Sequence, residues 1–323
     1  MWTRRQIGLS FAVLSIGMLT ACGSSDHTVS IDPPQKEVSV QTTADEASTV
    51  PATLYLKDAN GYVAPVSVRL PDMGSPAKAV LEAMVDGTPK PAGFKGWIPA
   101  GTTVRGMNVV AEAKLAVVDF SKSFLSYPKK DERHLVEAIT YALTSFPTIA
   151  EVQLRVEGKT IASMPASGLP VGEPLTRDMG VNVSVDDGVV LSQATPVTVY
   201  YAAKSAEAGR YLVPVTRMVP YTKEPLPVVM QQLAQQPALP GLAPVLDGHA
   251  EATTVQVQNK VVKLNVQSVD TKSPVKLGKQ AMQAIVWSML DNADAKQVQV
   301  MVNQKAAQDK PVDKPQQINA RAL

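Results

Sequence analysis

The chain holds 3 histidines and 1 cysteine, and these, with its carboxylates, are the groups that chemistry would draw on. Acid–base or nucleophilic catalysis needs several of them converging on one reacting atom, and their spacing offers little. His27 lies in a polar stretch, His134 at a helix start and His249 in a Pro/Gly-rich loop. There is no His-Glu-x-x-His helix, no cysteine pair, no Gly-x-Ser-x-Gly elbow, no phosphate-binding glycine loop and no dinucleotide fingerprint. KDANG at 57–61 lacks the Asp/Asn alternation and closing Glu of a calcium loop and reads as a hairpin turn. KKDERH at 129–134 reads as the solvated first turn of a helix, where acids suit the helix dipole. Asp119 in VVDFS is the most enzyme-like carboxylate. Its counterpart in an internal repeat is Asn265, which accepts a hydrogen bond but cannot be a general base, so both are expected to hold the following turn. Trp97 and Trp287 are expected to be core aromatics. The expectation is no catalytic residue, no metal and no cofactor, hence no enzyme.

Cys22 is different. Arg4 and Arg5 precede an apolar segment, IGLSFAVLSIGMLTA at 7–21, that is short for a membrane span of roughly 20 residues. It suits the apolar region of an export signal, followed by small residues at a cleavage site. LTAC at 19–22 resembles the lipobox of bacterial lipoproteins. That resemblance implies a signal peptide at 1–21 and a diacylglyceryl group on Cys22, whose two acyl chains satisfy the requirement for lasting membrane attachment. Residues 22–52 have the polar, Pro- and Ser/Thr-bearing composition of a flexible tether. The expected location is the extracytoplasmic side of the cell membrane. With Cys22 taken by lipid, no disulfide supports the rest of the chain.

The formal net charge is +2, and Arg4 and Arg5 supply that excess. What remains is near neutral, unlike a nucleic-acid binder with its basic patch or tail. Hydrophobic residues make up 45% and aromatics 5%, so the core is built mainly from Val, Ala, Leu and Ile.

The elements that must position these residues come twice. TLYLKDANGYVAPVSVRLP from Thr53 matches TVYYAAKSAEAGRYLVPVTRMVP from Thr198: Thr-x-Tyr opens each, and Pro-Val-Ser/Thr lies near each end. Both read as hairpins. Ala77, Val80, Leu81, Met84 and Val85 follow the spacing of one helical face, and Leu226, Val229, Met230, Leu233 and Ala234 repeat it. Ser75-Pro76 reads as an N-cap with proline at the first helical position. A Pro/Gly-rich loop and a second hairpin follow in both. Leu135, Ala138, Ile139, Ala142, Leu143 and Phe146 then form a helical face that Ala281, Ala284, Ile285 and Met289 partly repeat. Final strands are EVQLRVEGK and KQVQVMVNQK. Each unit is β-β-α-β-β-α-β, and helices with one apolar face beside a mostly antiparallel sheet predict an α+β, two-layer domain. The expected domains are 53–160 and 197–305. Residues 161–196 are a connector whose GVNVSV has the pattern of an extra edge strand for the first sheet, and 306–323 read as a disordered tail.

This arrangement, with SPAKAVLEAMVDG, GTTVRGMNV and AVVDFS as its best-matching segments, resembles the GerM-like lipoproteins, which carry tandem GerMN (sporulation/spore germination) domains. The second copy departs from the pattern where Asn265 replaces Asp119. The resemblance implies similarity to ring-building domains of secretion systems. It also implies a non-enzymatic assembly role in an envelope complex of endospore formation or germination, with protein partners, a homo-oligomer among them. The other reading is an extracytoplasmic lipoprotein that binds cell wall or a small ligand through the loops around Gly93–Gly101.

Overall fold

The computed structural model describes residues 48–246, 250–268 and 277–323. Cys22, the segment 1–21, the tether as far as residue 47, His27 and His249 lie outside the described residues.

Repeat 1 runs β1 (Thr49–Lys57), β2 (Val63–Pro71), α1 (Pro76–Ala83), β3 (Val104–Val110), β4 (Leu115–Phe120), α2 (Glu132–Leu143), β5 (Glu151–Val156) and a short β6 (Lys159–Thr160). The connector adds β7 (Ser184–Val185). Repeat 2 runs β8 (Ala194–Ser205), β9 (Gly209–Pro220), α3 (Pro225–Ala234), a short β10 (Leu242–Ala243), β11 (Ala250–Gln258), β12 (Val261–Ser268), α4 (Lys279–Asp291) and β13 (Gln297–Val302). Two short strands follow, β14 (Lys305–Ala306) and β15 (Val312–Asp313). The fold is α+β with two repeated domains.

Local chemistry explains the elements. Pro76 opens α1 with its preset φ, although the Ser75 side chain makes no cap hydrogen bond. What holds α1 in place is burial of Val80 and Leu81, and α2 buries Leu135, Ala138, Ile139, Ala142 and Leu143 in the same way. Both helices pack on β1, and α3 and α4 pack on β8. After α1 the loop closes so tightly that a Cβ on Gly96 would lie 2.5 Å from the Met84 carbonyl oxygen, so only glycine fits there.

The single sheet expected per repeat is instead two. The β1–β2 hairpin stands apart from a sheet ordered β3-β4-β5-β6, and repeat 2 divides likewise into β10-β8-β9-β7 and β11-β12-β13-β14. α2 is a crossover that brings the chain back in the same direction, so β4 and β5 are parallel, as are β12 and β13 around α4.

Other boundaries also shift. Strand β1 begins at Thr49, inside the stretch read as tether, because Thr49–Ala52 pair with Pro71–Val68. GVNVSV adds its strand to the second repeat: β7 runs parallel to β9. The tail read as disordered at 306–323 is ordered. β15 pairs with β13 and Ile318 is fully buried. Its polar, proline-rich composition hides this because its partners lie in distant segments of the chain.

Candidate interaction site at the junction of the repeats

Strands β2 and β9 pack against each other but belong to different sheets, and both are buried along most of their length. Their backbone groups facing away from β1 and β8 need partners, and two asparagines supply them. Asn182 Oδ1 accepts from the Val63 N–H at 2.9 Å, and its Nδ2 donates to the carbonyls of Val63 at 2.9 Å and Pro214 at 2.7 Å. Asn319 Oδ1 accepts from the Leu212 N–H at 2.8 Å, and its Nδ2 donates to the carbonyls of Leu212 at 2.8 Å and Pro65 at 2.7 Å. Exchanging the repeats converts one set into the other.

The residues before the asparagines complete the pattern. Val181 N–H donates to Thr216 Oγ1, and its carbonyl accepts from the Thr216 N–H. Ile318 does the same with Ser67 Oγ and the Ser67 N–H. The repeated Pro-Val-Ser/Thr is therefore a docking sequence. The hydroxyl receives a strap, and the proline has no N–H to leave unsatisfied at the junction. Each repeat sends its C-terminal strap across the other repeat's second hairpin strand. The sequence signal was GVN at 180–182 against QIN at 317–319, a match too short to notice without the fold.

The straps also cross helices. The Arg177 guanidinium lies 4.6 Å from the Tyr141 ring centre, and Lys314 Nζ lies 4.2 Å from that of Trp287, its equivalent. Tyr55 backs Tyr141 at 5.8 Å, and Tyr200 backs Trp287 at 5.5 Å. Arg177 donates to Thr144 Oγ1, the Tyr141 carbonyl and Ser145 Oγ. Lys314 instead pairs with Asp291, which also accepts from Tyr200 Oη at 2.8 Å. A cleft of about 680 Å³ opens beside Trp287 and Lys314, and one of about 310 Å³ beside Tyr141; Arg177 lines both. The clefts offer hydrogen-bond donors and aromatic walls; of the two acids lining the smaller one, Asp291 is paired with Lys314 and Asp178 is exposed. Among the described residues no group of His, Cys, Asp or Glu is placed to hold a metal ion.

Glu137, fully buried on α2, holds the first strap. Its Oε2 accepts from the Asn182 N–H at 3.0 Å, and its Oε1 accepts from Arg133 Nε at 2.7 Å. Burial pushes its carboxyl up to about 7, against the lowering pull of Asn182 and Arg133. An acid with a raised native pKa contributes stability that is complete below its unfolded value and lost as pH rises through its native value. Wild type is thus expected to lose about 3 kcal/mol relative to Glu137→Gln between pH 4.5 and pH 8, at ~1.4 kcal/mol per pKa unit. Urea melts of both proteins across that range check this, and a pH-independent difference would refute it.

The other residues singled out in the sequence take structural places. Asp119 Oδ1 accepts from the Gly158 N–H at 2.8 Å, and Asn265 Oδ1 from the Gln304 N–H at 2.8 Å. They hold a turn as expected, but it is the turn after the neighbouring strand, β5 or β13. In KKDERH Lys129, Lys130 and Arg133 are exposed as expected, but the solvated reading fails at Glu132. Glu132 is 1% exposed and accepts from Tyr127 Oη, from the N–H groups of Ala166 and Ser167 and from Ser167 Oγ. Burial acts to raise its carboxyl, but these donors outweigh it and hold the pKa below the usual value. Asp58 of KDANG accepts from the N–H groups of Asn60 and Tyr62 and from Tyr211 Oη of repeat 2, so the turn is also a joint. Trp97 and Trp287 are buried, and Trp97 packs 5.3 Å from His134, whose pKa burial lowers. The Gly93–Gly101 loop packs at its start against repeat 2, with Phe94 edge-on to Tyr211 at 5.2 Å.

Both repeats match one family model, Germane, described as sporulation and spore germination, over residues 53–162 and 198–308. The chain belongs to the Germane family. The spore germination protein GerM of Bacillus subtilis (strain 168) is 32% identical over 321 residues, covering 92% of this chain and 86% of that protein. The solved tandem GerMN domains of the sporulation protein GerM from Bacillus subtilis superpose with a TM-score of 0.77 at 33% identity, covering 85% of this chain and all of that one. The first GerMN domain of the same protein, solved alone, is 40% identical over 40% of this chain, with a TM-score of 0.39. The Germane repeat here is thus a sporulation and germination module, and the junction described above joins two of them.

Proposed function

We propose that this Germane-family chain is a lipid-anchored, non-enzymatic component of an envelope complex that acts in spore formation or germination. The observation that carries the reading is the family match over both repeats, together with a relative named for spore germination. Two further features support it. The reciprocal straps hold the repeats in one fixed arrangement, which suits a protein that presents surfaces to partners. Among the described residues lining the clefts at the junction, no histidine or cysteine stands beside the two acids to act as base or nucleophile.

In this reading Cys22 carries the diacylglyceryl group, and the protein faces the extracytoplasmic, intermembrane side. Its partners are proteins of the complex, further copies of this chain included. Among the described residues no helix is long and apolar enough to cross a membrane, and the tether leads from the lipid to β1.

The test is a gene deletion complemented with wild type or with Cys22→Ala. The deletion is expected to lower the count of heat-resistant or germinating spores, and wild type to restore it. Cys22→Ala should lose labelled palmitate and leave the membrane fraction, or stay there with an uncleaved signal. Normal sporulation and germination in the deletion strain would overturn the role, and wild type without palmitate would overturn the anchor.

A further inference from the structure

We infer that repeat 2 carries a groove that receives an acidic, partly apolar peptide segment of a partner protein. The groove, of about 910 Å³, runs between α4 and the final strap, within the range of about 300–1,000 Å³ typical of ligand sites. Among the described residues, Arg210, Lys279 and Arg321 line it, and no Asp or Glu does. None of these cations makes an ion pair among the described residues. Arg321 is held in place by hydrogen bonds from Nη2 to the Ala208 and Arg210 carbonyls, each 3.0 Å. Three like charges around one hollow repel one another until an anion enters.

Comparison of the two repeats shows that this is a divergence rather than a property of the module. Lys279 stands where repeat 1 has Arg133, but Arg133 is paired with Glu137 at 2.7 Å. Gln283 occupies the position of Glu137, and Pro315 that of Asp178. Arg210 and Arg321 occupy those of Gly61 and Ser184. Repeat 2 has dropped two acids and gained two cations around one site.

The apolar side chains in the groove choose among anions. Met282 and Val312, both half-buried, line it together with the cations. A free phosphate would leave them uncovered, and a flat bilayer cannot follow a concave groove. An extended peptide supplies both needs, with carboxylates forking onto the arginines and apolar side chains covering the Met and Val surface.

The inference rests on the interaction role proposed above. Spore counts read that role and the following assay reads the groove, so each fails separately. A fluorescein-labelled Glu-Leu-Glu-Leu-Glu-Leu-Glu peptide is titrated with the purified chain by anisotropy. Saturable binding is expected, weakening at higher salt and falling by about tenfold or more in Arg210→Glu/Lys279→Glu. Both residues are exposed, and equal thermal midpoints establish that the variant is folded; Arg210→Gln/Lys279→Gln replaces it if they differ. Absence of saturable binding overturns the proposal, as does equal binding by the variant or by a peptide with Gln in place of Glu. Stronger competition by inorganic phosphate or by phosphatidylglycerol vesicles than by unlabelled peptide overturns it too.

Discussion

A chain truncated after Gln317 is expected to melt about 10 °C below the intact one, at roughly 2–4 °C per kcal/mol for a protein of this size. The lost residues are the last six, which composition alone presents as dispensable. Ile318 is fully buried, and removing such a side chain from a core costs about 2–5 kcal/mol. Its backbone also serves both the N–H and the hydroxyl of Ser67. Asn319 bridges Pro65 of one repeat to Leu212 of the other, at about 1 kcal/mol per hydrogen bond lost to water. Some of this returns as solvent enters the vacated edge, leaving a net loss of about 4 kcal/mol. Calorimetry of the two chains decides it. Midpoints within about 2 °C of each other would mean that the strap contributes little to stability.

Asn182→Ala should cost nearly as much by a different route, about 3–4 kcal/mol. Asn182 is 2% exposed, so water does not readily replace what it provides. The variant leaves the Val63 N–H and the Val63 and Pro214 carbonyls buried without partners, at about 1–3 kcal/mol each before relaxation. Its φ of +47° is one that asparagine tolerates and alanine resists by about 1–2 kcal/mol. Asn182→Asp keeps the acceptor but replaces the amide donor with a buried charge facing two carbonyls, so it should be no better than alanine. Asn319→Ala should cost less, because that side chain is partly exposed. Urea midpoints for the set test the ranking, and a loss below about 1 kcal/mol for Asn182→Ala would remove the asparagine bridge from the account of the junction.

Much of the fold was legible in the chain. Apolar spacing at Val80, Leu81, Leu135 and Ile139 is local information, and it placed the helices that are present. The Thr-x-Tyr and Pro-Val-Ser/Thr matches placed both hairpins and exposed the duplication. Asp119 and Asn265 were read as turn-holding residues, and they are, because a carboxylate and an amide share an acceptor oxygen. Glu132 was misread as solvated. Charge density at a helix start usually means water, and only folding brings the Ala166–Ser167 loop, with Tyr127, to supply the donors around it.

The linear chain by itself determined the repeat, the element order and the α+β class, because hydrophobic period and turn chemistry act between near neighbours. The lipid attachment proposed at Cys22 rests on the spacing of LTAC rather than on fold. The tertiary structure alone decided that the connector and the tail are crossed straps, that each motif proline and hydroxyl serves the other repeat, and that Arg210, Lys279 and Arg321 surround one groove. Those relations join residues far apart in sequence. Polar segments such as QQINARAL have no apolar face of their own to announce them. They become ordered only where another part of the chain supplies the missing hydrogen-bond partners and the space for one isoleucine.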